Sequence, residues 1–201
     1  MKGALWALAL AGCASAVQLD SARTLAPGEQ SFALAPSGYI GGAPGMVLNM
    51  EFQWRRGLSR GVDLGLRAGF VFVQADTKLR LVSAGGFDLA VAPSLGAGSD
   101  IAWGSEALGF TGTVALPLLL SYTIGEYGVT VAPRLAYSRV PNLPEGLITV
   151  GGSLLFGRTE GRGLRVYPAV AVWKWVDARD WGGAFRGAVV VQPALVVRWG
   201  S

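Results

Sequence analysis

From residue 31 onward, apolar and polar side chains alternate along much of the chain. The clearest stretch lies between residues 62 and 72, where one face is apolar and the other carries Asp63 and Arg67 among glycines. Successive side chains of a β-strand point to opposite faces, so a period of two indicates strands with one apolar face. The pattern therefore predicts an all-β chain.

Ten segments follow this pattern, at residues 31–39, 46–56, 62–73, 77–83, 87–97, 109–122, 128–138, 147–156, 164–175 and 185–199. Most connectors on one side are tight and contain glycine, whereas most of the longer connectors fall on the other side. An even number of strands places both chain ends on the side of the tight turns. This layout predicts a closed, antiparallel, up-and-down transmembrane β-barrel of about 10 strands.

The composition indicates which face of the strands meets lipid. Hydrophobic residues make up 51% of the chain and charged residues 15%, against about 25% charged residues in a typical soluble domain. The less apolar face consists mainly of Gly, Ala, Ser and Thr with scattered charges, which suits a narrow lumen better than a water-covered surface. A soluble lipocalin-like barrel, with its apolar face inward, is the alternative.

Taken together, these features resemble the general class of small bacterial outer-membrane β-barrel proteins, with residues 31–201 as the barrel domain. The resemblance implies a place in the bacterial outer membrane, with the lipid bilayer and the outer-membrane assembly machinery as partners. The chain departs from the common pattern at its end, because Trp199 is followed by two further residues. Many members of the class end on an aromatic residue.

The N-terminus has the layout of an export signal, with Lys2 ahead of a short apolar run. The run ends in Leu10-Ala11-Gly12-Cys13, which resembles the lipobox of bacterial lipoproteins and implies a signal peptide of residues 1–12 and lipidation of Cys13. Alternatively, Ala14-Ser15-Ala16 is a site for ordinary signal peptidase, with a signal of residues 1–16. Residues 13–30 are expected to form a periplasmic lead-in to the barrel.

Charged residues on the less apolar face are expected to point into the lumen. They are Glu51, Asp63, Arg67, Lys78, Arg80, Asp88, Arg134, Arg165, Arg186 and Arg198. Because charges in a narrow lumen are costly unless they are paired, we expect a salt-bridge network that largely fills it. The alternative is a narrow, anion-preferring pore lined by Arg67, Arg134 and Arg186.

Two groups of residues are expected to mark the wall itself. Aromatic side chains near the predicted strand ends suggest belts at the membrane interfaces, formed by Trp54, Tyr122, Tyr137, Trp173 and Trp199. Prolines inside predicted strands suggest bulges, because proline cannot donate to the ladder; they are Pro93, Pro117, Pro133, Pro168 and Pro193.

The sequence contains no histidine, which excludes Ser-His and Cys-His catalytic arrangements and most zinc sites. No other catalytic constellation can be assembled, so we expect no enzyme activity, no catalytic residue, no metal and no cofactor. The net charge of +4 is spread along the chain without a clustered basic patch, so nucleic-acid binding is not expected either.

The favoured function is therefore a structural or surface-interaction protein with a narrow, largely filled lumen. A surface partner would bind through loops 98–108, 139–146 and 176–184. One alternative is a small porin-like pore or transporter for small anions or apolar molecules. Another is a lipid-tethered, lipocalin-like periplasmic binding barrel.

Overall fold

A computed structural model of the chain describes residues 16–40, 47–70, 72–100, 109–139, 146–158, 163–177 and 189–200. Within these ranges the regular structure is entirely β. The strands are β1 (Gln30–Tyr39), β2 (Val47–Ser59), β3 (Val62–Gly69), β4 (Phe72–Ala84), β5 (Phe87–Val91), β6 (Ser94–Asp100), β7 (Gly109–Ile124), β8 (Tyr127–Arg139), β9 (Leu147–Arg158), β10 (Arg165–Asp177) and β11 (Val189–Gly200).

The strands close into one antiparallel barrel. β5 and β6 both lie between β4 and β7 and are separated only by Ala92 and Pro93. They count as one strand of the wall, so the barrel has ten strands. Closure is made by the first and last strands, which pair from Ser31 opposite Gly200 to Ser37 opposite Ala194. A closed ladder leaves no unpaired strand edge, which is a requirement for a β-structure in lipid.

The ten predicted strands are confirmed, but several boundaries differ: β2 extends to Ser59, β3 ends at Gly69 and β6 extends to Asp100. Residues 74–76 were expected to be a connector, but β3 ends at Gly69 and β4 already begins at Phe72. Asp76 therefore lies on a strand, opposite Gly65. The start of the last predicted strand, residues 185–188, lies outside the described residues.

The prolines do not produce the expected bulges. Pairing keeps one register across Pro117, Pro133, Pro168 and Pro193, and around Pro93 the ladder continues because Ala92 N donates to Pro117 O at 3.1 Å. The register shifts in the described pairs fall elsewhere, between Gly57 and Ser59, Arg80 and Val82, and Trp175 and Asp177.

The distribution of side chains is the inverse of that in a soluble barrel. Large apolar side chains cover the outer wall, with Leu48 71% and Leu95 66% exposed, whereas Glu51, Asp63 and Lys78 are 0% exposed inside. An apolar exterior around a polar interior is the arrangement of a barrel that spans a bilayer. The chain is thus a membrane-spanning β-barrel, and the lipocalin-like alternative, which needs the apolar face inside, is wrong.

No helix in the described part of the chain is long and apolar enough to cross a membrane.

Aromatic rings cover the outer wall near the end of the barrel where β1 begins and β11 ends. Phe32 stacks on Trp199 with ring centroids 6.0 Å apart, and Trp54 Nε1 donates to Gln30 Oε1 at 2.9 Å. Tyr122 is 48% exposed at this end.

At the opposite, loop-bearing end, one of the two aromatic residues expected in the belt does not face outward. Tyr137 is 45% exposed there, but the assignment of Trp173 to an outer belt is wrong, because its side chain is 4% exposed. On β10 the outward positions are Val172 and Lys174, so Trp173 points into the lumen together with Trp175.

We predict that a charge on the outer wall is costly in proportion to its depth. Leu154 lies near the middle of β9, whereas Leu48 lies at the start of β2, and both face outward. Leu154→Arg should lower the free energy of unfolding in lipid vesicles by about 2–4 kcal/mol, and the matched Leu48→Arg by about 0–1 kcal/mol. Equal effects of the two substitutions would contradict a membrane-spanning wall.

Candidate functional site

The lumen contains the chain's own N-terminal segment. Immediately before β1 the chain turns at Pro27 and Gly28, where Gly28 has a φ of 85°, and it is held against the rim by Gly28 N donating to Gly57 O at 2.9 Å. Gly57 leaves space for this approach, because a Cβ at that position would overlap Ala26 O. The residues that precede the turn, 16–25, lie inside the barrel and are called here the lumen segment.

The lumen segment has no regular secondary structure, and its backbone N–H groups donate to side chains of the wall. Gln18 N donates to Ser153 Oγ of β9 at 3.1 Å, and Ala22 N donates to Ser121 Oγ of β7 at 2.7 Å. Leu25 N donates to Asp63 Oδ1 of β3 at 3.0 Å. At its upper end, Ala16 N donates to Gln192 Oε1 of β11 at 3.3 Å.

This placement differs from the expected periplasmic lead-in of residues 13–30. Buried polar backbone groups need partners, and the wall supplies them as Ser, Gln and Asp side chains at the positions just described. The lead-in is therefore part of the filling of the barrel from Ala16 onward. Cys13 lies outside the described residues.

Asp20 is the charged centre of the lumen segment. Its side chain is 1% exposed, and its carboxylate contacts Arg55 Nε at 2.6 Å, Arg198 Nη1 at 3.3 Å and Lys78 Nζ at 3.9 Å. Gln53 Nε2 also donates to it, at 3.3 Å. One acidic group of the segment is thus surrounded by cations from β2, β4 and β11.

The same cations are shared with carboxylates of the wall. Arg55 Nη2 contacts Asp76 Oδ1 at 2.5 Å, and Lys78 Nζ contacts Asp63 Oδ2 at 3.3 Å. Lys78 also donates to the backbone carbonyls of Ser21 and Arg23, at 3.1 and 2.7 Å. Because the charges are buried and mutually paired, the network ties the segment to the wall through Arg55, Asp63, Lys78 and Arg198.

A second buried network lies above the first. Glu51, 0% exposed, pairs with Arg67 Nε at 2.9 Å and accepts from Asn49 Nδ2 at 3.0 Å. Arg67 donates in turn to the backbone carbonyl of Val17, and Gln192 Nε2 lies 3.4 Å from Glu51. The upper end of the lumen segment is therefore also held by a wall ion pair.

Apolar packing completes the filling. Val17 and Leu19, each 1% exposed, belong to one buried cluster with inward aromatic and aliphatic side chains of the loop-bearing half, including Tyr39, Leu147, Trp173 and Trp175. Trp173 and Trp175 meet edge to face with centroids 4.9 Å apart. Ala22 packs into a separate cluster of small residues and Leu119.

A cavity of about 650 Å³ remains beside the segment, toward the end of the barrel where β1 begins. It lies between the segment and the wall of β5 to β11, where Ser121, Gly128, Thr130 and Gly157 are small. Arg165 also lines it. The lumen is thus filled on the side of β2 to β4 and partly open on the other side.

The structure brings most of the predicted lumen charges inside. Glu51, Asp63, Arg67, Lys78, Asp88 and Arg198 are buried, and Arg80, Arg134 and Arg165 are half-buried on inward-facing positions. Arg186 lies outside the described residues. Glu51, Asp63, Arg67, Lys78 and Arg198 are members of the two networks. Five of the ten predicted charges are therefore ion-paired inside the lumen.

Sequence reasoning missed Asp20, Arg55 and Asp76. Arg55 could have been found, because it continues the period-two face of Glu51 and Gln53. Asp76 lies two residues before Lys78 on the same face of β4, but it was missed because residues 74–76 were predicted to be a connector. Asp20 has no periodic signal, because the lumen segment is not a strand.

Among the described residues no group of three or more Cys, Asp or Glu side chains could hold a metal ion. The buried carboxylates Asp20, Glu51, Asp63 and Asp76 pair with cations of the wall, whereas Asp88 Oδ1 is buried without a hydrogen-bond partner.

No protein-family model matches the chain, and no curated protein sequence matches it. Three of the solved structures similar to it are the translocator domain of the autotransporter NalP from Neisseria meningitidis, the outer membrane protease OmpT from Escherichia coli and Neisserial surface protein A. Their TM-scores are 0.47, 0.42 and 0.41, with 10%, 9% and 8% identity. In the same order, the matched regions cover 99%, 90% and 85% of this chain. They cover 94%, 98% and 95% of the three similar chains.

The expectation that the chain has no enzyme activity is corrected by this comparison. The similar structures include a protease, so a barrel of this kind does not exclude catalysis. The missing histidine excludes only the chemistries that require it. At 9% identity the similarity assigns no reaction and no residue role to this chain.

We predict that Asp20 contributes far more to stability than an exposed acidic residue. Asp20→Asn leaves buried cations without their shared counter-charge and should lower the free energy of unfolding by about 3–5 kcal/mol. The control is Glu126→Gln, which breaks an exposed pair with Arg158 and should cost about 1 kcal/mol or less. Denaturant unfolding in vesicles measures both, and equal losses would show that the buried network does not hold the segment.

Proposed function

We propose that this protein is an outer-membrane barrel closed by its own N-terminal segment, and that it serves as a structural or surface-interaction protein. The observation that carries the proposal is the seating of Asp20 among Arg55, Lys78 and Arg198. A segment held in this way occupies the lumen, through which ions would pass if the barrel were open.

The proposed surface role rests on the loops at the end opposite the turn at Gly28. The predicted loops 98–108, 139–146 and 176–184 carry Trp103 and Trp181, a residue type that often anchors contacts. The wall extends further into them than predicted, because β6 ends at Asp100, β8 at Arg139 and β10 at Asp177. Most residues of these loops lie outside the described ranges.

Closure can be tested by displacing the segment at the rim. Gly57→Ala places a methyl group against Ala26 O and should push the segment outward, giving a steady conductance in a planar bilayer that the unchanged protein lacks. Gly112→Ala adds the same methyl group to a strand glycine with nothing within 4 Å and should leave the barrel closed. A steady conductance of the unchanged protein would contradict the proposal.

Lipidation of Cys13 is a separate part of the proposal, supported by the lipobox-like Leu10-Ala11-Gly12-Cys13.

The mature protein's mass tests this modification. We expect an N-terminal diacylated Cys13, and we expect Cys13→Ser to remove the lipid without removing the barrel from the membrane, because the wall spans the bilayer by itself. A mature chain beginning at Val17 would instead show cleavage after Ala16 and would contradict lipidation.

A further inference from the structure

We infer that the lumen segment is a gate, and that the barrel is an anion-preferring pore when the segment leaves. The inference rests on the proposed function in one respect, since it takes the segment as the element that closes the lumen. It goes beyond it by assigning a transport activity, with small inorganic anions as the permeating species.

The first observation is that the strand pairing of the wall does not include the lumen segment. Its hydrogen bonds go to wall side chains such as Ser121, Ser153 and Gln192, and pairing of β1 with its neighbours begins only at Gln30. The closed ladder is therefore complete without residues 16–25. The turn at Pro27 and Gly28 is the place where the segment departs from the strand.

The second observation is the charge of the wall. Among inward side chains that the structure describes on the strands, seven are cationic and four acidic. The cations are Arg55, Arg67, Lys78, Arg80, Arg134, Arg165 and Arg198, and the acids are Glu51, Asp63, Asp76 and Asp88. The segment supplies Asp20 to this basic wall, so its departure increases the positive charge of the lumen.

The departure affects the three cations around Asp20 differently. Arg55 keeps Asp76 and Lys78 keeps Asp63. Arg198 keeps a hydrogen bond to the hydroxyl of Ser31, at 2.7 Å. Among the described residues, Asp20 is its one acidic partner. An uncompensated arginine beside an aqueous path attracts anions and repels cations.

The third observation is the space beside the segment. The cavity of about 650 Å³ already occupies part of the lumen and has Arg165 and Arg198 in its lining. Removing the segment joins its volume to this cavity. Trp173 and Trp175 share a buried cluster with Val17 of the segment, so these inward rings would line the path that the segment leaves.

The experiment uses the full-length protein with Cys13→Ser. One variant fixes the lumen segment to the wall, and another weakens its attachment. Ala22→Cys with Ser121→Cys is designed to join the segment to β7 by a disulfide, because the hydrogen bond from Ala22 N to Ser121 Oγ, at 2.7 Å, places the two residues side by side. Asp20→Asn loosens the segment, and Glu126→Gln is the matched loss of one acidic group. Each variant is recorded in planar bilayers under a potassium chloride gradient, after a heat-shift gel has shown that it is folded.

We expect the unchanged barrel to show rare, brief openings, the oxidised double-cysteine variant to show none, and reduction to restore them. Asp20→Asn should raise the open fraction about tenfold or more, because a buried ion network is broken, whereas Glu126→Gln should leave it unchanged. The reversal potential should show a preference for chloride, and Arg134→Gln should reduce that preference.

The outcomes separate the two proposals. If the oxidised, locked variant still conducts steadily, the segment does not close the barrel and the proposed function fails. If the barrel is closed but Asp20→Asn opens no more often than Glu126→Gln, closure stands and the gate is overturned. Openings that prefer potassium would overturn the anion-preferring pore.

Discussion

The interior of this barrel depends on the compensation of one buried carboxylate. Asp20 is removed from water inside a wall that carries more cations than acids, and it is stabilised there because Arg55, Lys78 and Arg198 converge on it. Those cations are themselves buried or nearly so and would be costly without it. The position of the lumen segment and the side-chain arrangement of three strands are therefore determined together.

The wall could be predicted from the sequence because its signal is local. A pleated strand alternates its side chains with a period of two, and lipid outside with polar groups inside makes that alternation visible in every strand. The exception is informative: the stretch from Gly69 to Phe72 shifts the alternation by one residue, and reading through it displaced Asp76 into a connector.

The filling of the lumen could not be predicted in the same way, because its contacts are not local. Ala16 and Gln192 are separated by 176 positions, and no periodicity in residues 16–25 marks which wall positions they meet. Trp173 illustrates a related limit. An aromatic residue near a strand end suits either the membrane interface or the lumen, and only the orientation of β10 separates the two.

The route of the lumen segment also constrains how the barrel is assembled. Asp20 contacts β2 and β4, which are made early, and β11, which is the last strand of the chain. Its site is therefore complete only when β11 pairs with β1. Either the segment is already inside the curved sheet when β1 and β11 pair, or it enters the closed barrel end-on afterwards. In the first case the N-terminus acts as a core on which the sheet wraps, so that the last folding step both seals the wall and encloses its contents.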